Sequence, residues 1–239
     1  MGKRSHQKAN SQPNNQYIEK KDAWSSHAII FEWLSRASHG SKILDIGTAS
    51  GMLGKRFKDY GFYLKGLEPN QKWAEEARPF YNELSYSTIE AASDKFLAQQ
   101  DFVIFADILE HTPNPEELLK RLIDLQKPGT QFIISVPNVA YFWIRLNLLI
   151  GKFDYTDCGI LDRTHLRFFT KFSFLEMVEA VGLEILEICY TPPPLERINQ
   201  KIFKTNFGQF LHKIFVIWAN VLPELFAYQF VTCLKTSDD

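Results

Sequence analysis

A chain of 239 residues is long enough for one large α/β domain or two small ones, and its 45% of hydrophobic residues can fill a sizeable core. The formal net charge of −1 excludes the basic surplus that a sequence-independent grip on nucleic acid needs, so we predict no nucleic-acid partner. The three cysteines, Cys158, Cys189 and Cys233, are widely spaced, which disfavours a disulfide framework and a structural zinc site and predicts a cytoplasmic location.

The polar N-terminus lacks the apolar stretch of a signal peptide, and we predict a disordered tail over residues 1–16. No linker divides the remainder, so residues 17–239 are expected to form a single domain. Apolar residues spaced three and four apart then predict a helix from Asp22 to about His39.

Residues 42–57, KILDIGTASGMLGKRF, predict a strand, a tight glycine turn and a helix. Gly47 allows a positive φ or the close approach of a ligand, and the start of the helix offers backbone N–H groups to a polar or anionic group. Asp45 at the end of the strand needs hydrogen-bond partners if it is buried, so we expect it to face a ligand or the backbone of the turn.

The dinucleotide fingerprint G-x-G-x-x-G fails in this turn, because Ala49 and Met52 occupy two of its glycine positions. The pattern that fits is D-x-G-x-x-x-G, which ends at Gly51. The alternative interpretation is an ordinary strand-to-helix turn of any α/β protein.

A second strand is predicted over residues 62–67 and is followed by Glu68 and Pro69. In a doubly wound sheet ligands lie outside the carboxyl ends of the strands, where Glu68 can accept hydrogen bonds from ribose hydroxyls; the alternative is a surface glutamate. A third strand is predicted over residues 83–87, and a purine ring can lie against Ile89 beyond it, unless Ile89 is ordinary core.

The apolar run DFVIFAD, residues 101–107, predicts a central parallel strand that ends at Asp107. His111 follows closely and is a candidate proton acceptor, since imidazole titrates near neutral pH; the alternative is a histidine that only satisfies backbone groups. Asp107, Glu110 and His111 form an alternative divalent-metal set, but we predict no metal because Glu110 can simply cap the next helix.

Residues 139–170 are aromatic and include a long irregular stretch over residues 154–169, as in a lid or binding loop. We expect Asp162 and Arg167 to hold this loop through internal ion pairs. Arg163 and His165 are candidates for contact with an acceptor substrate, and His165 is a second candidate base.

Residues 192–223 include a helical stretch with a broad apolar face whose longest apolar run is too short to cross a membrane. We favour packing of this helix as a core or lid element over binding to a partner and over peripheral contact with a membrane. A homodimer is a further possibility. The last predicted strand, residues 225–234, can pair as a hairpin with the strand predicted at residues 183–190.

Together the blocks LDIGTASG, GLEPN, FVIFADILEHTPNP, PGTQFIISVPN and GILDRTHLRFFT resemble the class I S-adenosylmethionine-dependent methyltransferases, within them the ubiquinone-biosynthesis-type and MetW-like group. The resemblance covers about residues 43–186. It implies a Rossmann-like, doubly wound α/β sheet of seven strands in the order 3-2-1-4-5-7-6, with strand 7 antiparallel and helices on both faces.

The resemblance also implies a cofactor site. It places the methionine part of S-adenosylmethionine on the loop of Gly47, Thr48, Ala49 and Gly51, the ribose on Glu68 with Pro69 beside it, adenine near Thr88 and Ile89, and Asp107 beside the cofactor. Two positions depart from the family pattern. Ala49 replaces the middle glycine and fits if its φ is negative, and Thr88 replaces the acid that usually follows strand 3, which leaves adenine recognition to the backbone.

The function implied is methyl transfer from S-adenosylmethionine to a small-molecule or lipid-like acceptor, with O- or N-methylation favoured over C-methylation. Such a transfer is an in-line displacement that depends on alignment and exclusion of water. Residues 139–170 and 192–223 are expected to form the acceptor side. The alternative is a non-catalytic cofactor-binding module that uses the C-terminal apolar helix as an interface, and a nicotinamide-dependent oxidoreductase is disfavoured by Ala49 and Met52.

Overall fold

The computed structural model describes residues 24–195 and 200–236 of the chain. The tail predicted at residues 1–16 lies outside these ranges. The strands are β1 (Lys42–Ile46), β2 (Tyr63–Leu67), β3 (Glu83–Ser85), β4 (Phe102–Ala106), β5 (Gln131–Pro137), β6 (Leu183–Thr191) and β7 (Gln229–Thr236).

The helices are α1 (Ser26–Leu34), α2 (Met52–Phe57), α3 (Gln71–Ala77), α4 (Asp94–Leu97), α5 (Pro115–Leu125), α6 (Phe142–Leu149), α7 (Lys171–Ala180), α8 (Gln200–Phe203), α9 (Asn206–Val221) and α10 (Pro223–Phe226). Two short 3-10 helices cover Arg78–Phe80 and Leu109–His111.

The seven strands form one sheet in the order β3-β2-β1-β4-β5-β7-β6, which confirms the predicted topology. The pairs among β1 to β5 are parallel, and β7 runs antiparallel to both β5 and β6. β4 lies at the centre, and its middle residues Val103, Ile104 and Phe105 are at most 1% exposed, as the apolar run predicts for a strand covered on both faces.

The two faces of the sheet carry separate hydrophobic clusters. One contains Phe105, Phe132 and Phe174, and the other contains Ile30, Ile43 and Phe57. Alternate residues of each strand point to opposite faces, so the sheet contributes to both clusters. Because the parallel strands share one direction, the polar residues that follow β1, β2 and β4 meet at a single edge of the sheet.

Three elements have a boundary that differs from the prediction by two residues or more. α1 begins at Ser26 because the Ser25 side chain accepts a hydrogen bond from the Ala28 N–H, which is an N-cap. β3 has three residues and ends at Ser85. The last strand begins at Gln229 because Pro223 starts the short helix α10 in front of it.

None of the helices in the described part of the chain is long and apolar enough to cross a lipid bilayer.

Candidate functional site

The turn after β1 takes a left-handed backbone conformation at three positions. The φ angles are +74° at Gly47, +46° at Ala49 and +82° at Gly51. The condition under which Ala49 was expected to fit, a negative φ, is therefore not met. The Ala49 N–H donates to Glu68 Oε2 at 2.9 Å, and this bond offsets part of the cost of placing a Cβ-bearing residue in that region.

Close packing against α3 favours glycine at position 51. A Cβ at this position would lie 2.8 Å from the Ala77 Cα, which belongs to the backbone of α3 and has no freedom to move aside. At Gly47 the nearest atom to an added Cβ is the flexible Ile108 Cδ1, at 2.2 Å. Thr48 is buried between them and its N–H donates to the Leu67 carbonyl. The turn is thus packed closely between α3 and the segment that follows β4.

Asp45 is the residue before the last one of β1, and it is buried, at 4% exposure. Its Oδ2 accepts a hydrogen bond from the Tyr81 hydroxyl at 2.5 Å, a partner that the sequence did not predict. Burial raises the pKa of Asp45 to about 6, the Tyr81 hydrogen bond opposes that rise, and the neighbouring Glu68 adds to it. A role of Asp45 in cofactor binding stays a prediction.

Glu68 is also buried, at the end of β2. Its Oε2 accepts from the Ala49 N–H and its Oε1 accepts from the Asn70 N–H at 2.8 Å, whereas the adjacent Pro69 is exposed. Burial raises the pKa of Glu68, and the two backbone hydrogen bonds oppose that rise. Each carboxylate oxygen has two acceptor sites, so both keep capacity for a hydroxyl donor.

The segment after β3 places Thr88 at the surface and Ile89 in the core. Ile89 is 5% exposed and packs in the same cluster as Leu67 and Leu97, which favours the interpretation of Ile89 as core. Arg121 on α5 holds this segment: its guanidinium donates to the carbonyls of Ile89, Glu90 and Ala92 and to Asp94.

Asp107 follows β4 with a φ of +59°. Its Oδ1 accepts from the Ser135 hydroxyl at 2.6 Å and from Gln229 Nε2 at 2.8 Å. These partners lie on β5, which neighbours β4, and on β7, the next strand beyond β5.

His111 and His165 lie together near the same edge, with ring centroids 4.8 Å apart. His111 Nδ1 lies 3.2 Å from the Thr164 carbonyl, and His165 Nδ1 lies 3.0 Å from the Ile160 carbonyl. A carbonyl only accepts, so Nδ1 carries the proton in both rings and Nε2 of the neutral ring keeps its lone pair. Burial lowers the pKa of His165, and the nearby His111 lowers it further.

The loop that carries His165 is fastened to the end of β4 mainly by hydrogen bonds to the backbone. The Glu110 carbonyl accepts from the N–H groups of Leu166 and Arg167, and the Arg167 guanidinium donates to the Pro113 carbonyl. Asp162 accepts from the N–H and hydroxyl of Thr164. The expected ion pairs at Asp162 and Arg167 are therefore replaced by these hydrogen bonds. Arg163, a predicted acceptor contact, pairs with Asp157 at 2.8 Å.

Ligand atoms suited to a divalent cation come together at Glu110, His111 and His165, all within 4.8 Å of one another. A carboxylate with two imidazoles is a donor set that transition metals accept. The sequence offered Asp107, Glu110 and His111 as the alternative metal set. In the structure Asp107 does not belong to the cluster, and His165 takes its place.

The arrangement suits a cationic, hydroxyl-rich ligand. Asp45 lies one residue before the end of β1, and Glu68 and Asp107 directly follow the neighbouring strands β2 and β4, so the three acidic residues lie toward the same edge of the sheet. Carboxylates accept hydrogen bonds from ribose hydroxyls and from an ammonium group and attract a sulfonium charge. Hydrogen-bond acceptors with negative charge at this edge therefore fit S-adenosylmethionine.

The sequence missed four residues that shape this edge: Tyr81, Arg121, Ser135 and Gln229. Each binds a group far from it in sequence, with Gln229 lying 122 positions from Asp107. A Tyr or Gln in an apolar segment gives no local signal, and only the strand order β4-β5-β7 brings Gln229 to Asp107.

The family model of a methyltransferase domain matches residues 23–188, more than half of the chain. Among curated proteins, a ubiquinone biosynthesis O-methyltransferase of Aeromonas salmonicida is 28% identical over 174 residues, which is 67% of this chain and 71% of that protein. The corresponding protein of Erwinia tasmaniensis is 28% identical over 119 residues, and this match covers 46% of this chain and about half (49%) of the relative.

Solved structures share the fold at low sequence identity. Magnesium protoporphyrin IX methyltransferase of Synechocystis PCC 6803 with bound S-adenosylhomocysteine has a TM-score of 0.58 and 16% identity, over 89% of this chain and 82% of that one. The [4+2]-cyclase SpnF has a TM-score of 0.56 and 14% identity, over 93% of this chain and 86% of that one.

Proposed function

We propose that this chain, which belongs to the family of class I S-adenosylmethionine-dependent methyltransferase domains, methylates an oxygen or nitrogen atom of a small-molecule or lipid-like acceptor. S-adenosylmethionine is its cofactor and supplies an electrophilic methyl group. The pair of imidazoles with available Nε2 atoms is the observation that carries the choice of a heteroatom acceptor.

The residues proposed to hold the cofactor are those at the ends of the first strands. Gly47, Thr48, Ala49 and Gly51 form the turn, Glu68 accepts from hydroxyl groups, and the Thr88 and Ile89 segment borders the adenine side, with Asp45, Pro69 and Asp107 around them. Glu68 suits its role because it is buried at a strand end and keeps acceptor capacity after its two backbone bonds. Burial strengthens its hydrogen bonds with a ligand.

The proposed catalytic groups are His111 and His165. As the methyl group is transferred to the acceptor atom, an imidazole Nε2 of this pair would take the O–H or N–H proton of that atom. Burial, and next the neighbouring His111, lower the pKa of His165 and so favour the neutral ring, which is the form that can accept a proton. The Nδ1 hydrogen bonds hold both rings in orientation.

The names of the curated relatives support an oxygen acceptor, since they are called O-methyltransferases of ubiquinone biosynthesis. For this chain the acceptor is proposed only as a class. The exposed aromatic residues of 139–170 favour an apolar or aromatic compound over a highly charged one.

The test is release of S-adenosylhomocysteine with a panel of phenols, amines and carbon acids, using the full chain and two variants. His165→Asn retains an amide that can donate to the Ile160 carbonyl but removes Nε2, and His111→Asn does the same toward Thr164. We expect kcat with a phenol or amine to fall by about 10²-fold or more in at least one variant, with unchanged binding of S-adenosylhomocysteine.

Full activity in both variants contradicts the base role, and no release with any acceptor contradicts the transferase assignment in favour of a non-catalytic module. A chelator separates proton transfer from metal assistance: loss of activity in EDTA, restored by added Mg²⁺ or Zn²⁺, assigns Glu110, His111 and His165 to a metal instead.

A further inference from the structure

The most prominent feature outside the cofactor site is an apolar surface on α6 and α9. In α6 only Ile144 is fully buried, and in the 16-residue α9 only Gly208, His212 and Ala219 are. Many of the exposed side chains are large and apolar, with Leu149 81% and Ile150 69% exposed. The others of this surface include Trp143, Phe207, Phe210 and Ile217.

Ring contacts join the two helices into one surface, here called the α6–α9 face. Phe142 of α6 stacks on Phe215 of α9 with centroids 6.2 Å apart. Both helices also contact α10: the ring centroid of Phe226 lies 5.5 Å from that of Phe142 and 5.3 Å from that of Trp218. An apolar area of this kind on a protein surface marks a binding site for a partner or a membrane.

The charge of these segments is one-sided. Residues 139–153 and 200–222 contain five basic residues and no Asp or Glu. They are Arg145, Lys152, Lys201, Lys204 and Lys213, and all five are exposed. Since the whole chain carries 27 basic and 28 acidic residues, the rest of the sequence holds six more acids than bases.

The excess of basic residues favours one possible binding partner of this surface over another. A two-fold homodimer would place the basic residues of one copy against those of the other, which is unfavourable. A bilayer with anionic headgroups presents apolar chains for the exposed Leu, Ile and Phe and negative charge for the Lys and Arg. Exposed Trp residues such as Trp143 and Trp218 are suited to the boundary between the two layers.

We propose that the α6–α9 face binds the surface of an anionic lipid bilayer, with α6 and α9 lying in the plane of the headgroups. α6 begins five residues after β5 ends, and Asn138 between them donates to the Ala227 carbonyl beside β7. The face is thereby attached to the edge that carries Asp107. An acceptor dissolved in the bilayer would reach the site from this side, a step that rests on the proposed function.

The test is co-sedimentation of the full chain with vesicles of phosphatidylcholine, with and without phosphatidylglycerol. We expect binding to the vesicles that contain phosphatidylglycerol, weakened by added salt. Leu149→Ser with Ile150→Ser should lower the partition coefficient by about tenfold or more, because two apolar side chains no longer enter the bilayer. Lys152→Gln with Lys213→Gln should remove the preference for phosphatidylglycerol.

Leu186→Ser is the matched control, since Leu186 is an apolar residue on β6, outside the face, and is 51% exposed. Equal binding of all variants, or no binding of the wild type to anionic vesicles, overturns the proposal. So does a wild-type dimer in sedimentation that the Leu149 and Ile150 changes dissociate, because the face is then a protein interface. Release of S-adenosylhomocysteine with a water-soluble acceptor, measured in parallel, tests the proposed function separately.

Discussion

Tyr81 connects the first strand of the sheet to the helix that follows it. Its hydroxyl donates to Asp45 Oδ2 at 2.5 Å and accepts from the Gly54 N–H at 3.2 Å. Burial is the main reason that the pKa of Tyr81 lies well above its usual range, and the charge of Asp45 is the next. The neutral phenol therefore acts as a permanent donor to the carboxylate.

Tyr81→Phe keeps the ring and removes the hydroxyl, which leaves the Gly54 N–H and an Asp45 oxygen without this partner. We expect a loss of about 1–3 kcal/mol in the free energy of unfolding, measured by urea denaturation. Tyr86→Phe is the control, because Tyr86 is 53% exposed. Equal stability of the two variants would mean that water or rearrangement replaces the buried bond.

The buried Asp45 predicts a pH dependence of stability. Its pKa is about 6 in the folded protein and 3.8 as a model value, so between these values the folded state keeps a proton that the unfolded state has released. The contribution of Asp45 to the free energy of unfolding is fully present below the unfolded pKa and is lost as the pH rises through about 6. The shift in pKa corresponds to a loss of about 3 kcal/mol in the free energy of unfolding.

The measurement compares wild type with Asp45→Asn at pH 4 and pH 7. Titrating groups that do not interact with Asp45 contribute equally to both proteins, so the difference between the two reports Asp45 together with its coupling to Glu68 and Tyr81. We expect the wild type to lose stability relative to the variant over this range. Parallel pH profiles would refute the raised pKa.

Gly51 and Gly40 differ in surroundings but not in backbone conformation. Their φ angles are +82° and +84°, but an added Cβ meets the Ala77 Cα at 2.8 Å in Gly51 and nothing within 4 Å in Gly40. Gly40→Ala should cost only the left-handed strain of about 1–2 kcal/mol. Gly51→Ala should cost more and should weaken binding of S-adenosylhomocysteine, because α3 begins just beyond Glu68. A similar decrease in the melting temperature of both variants would show that α3 shifts to accommodate the added methyl group without a loss of stability.

Arg121 is predicted to act on cofactor affinity without reaching the cofactor. Its guanidinium holds three carbonyls of the segment after Thr88, so Arg121→Ala should loosen that segment. We expect weaker binding of S-adenosylhomocysteine by calorimetry, on the order of tenfold, whereas the exposed neighbour Lys120 changed to Ala should bind as the wild type does. An unchanged affinity of Arg121→Ala for S-adenosylhomocysteine would contradict the proposal that this segment borders the adenine.

The order of the sheet and its late antiparallel strand follow from local patterns combined with a family resemblance. Apolar runs such as residues 101–107 identify buried strands because both faces of a central strand must be covered. Two boundaries were misplaced where a side-chain cap or a proline sets the start of a helix: Ser25 caps the start of α1, and Pro223 begins the short helix before β7.

The chemistry of the site was less accessible, because hydrogen-bond partners depend on distances through space. Ala49 shows this limit: a negative φ was the condition for an alanine to fit in the turn, but Ala49 has a φ of +46° and its N–H donates to Glu68. His165 and Glu110 likewise come together only because the loop of residues 154–169 folds back on the end of β4.

The sequence by itself determined the strand, turn and helix around Gly47 and the acids at the ends of β1, β2 and β4, since these depend on residue type and spacing along one segment. Only the tertiary structure decided which groups those acids bind, which histidines meet, and that α6 and α9 form one exposed face. The physical reason is that burial, desolvation and hydrogen-bond geometry are properties of groups that the fold brings together from distant parts of the chain.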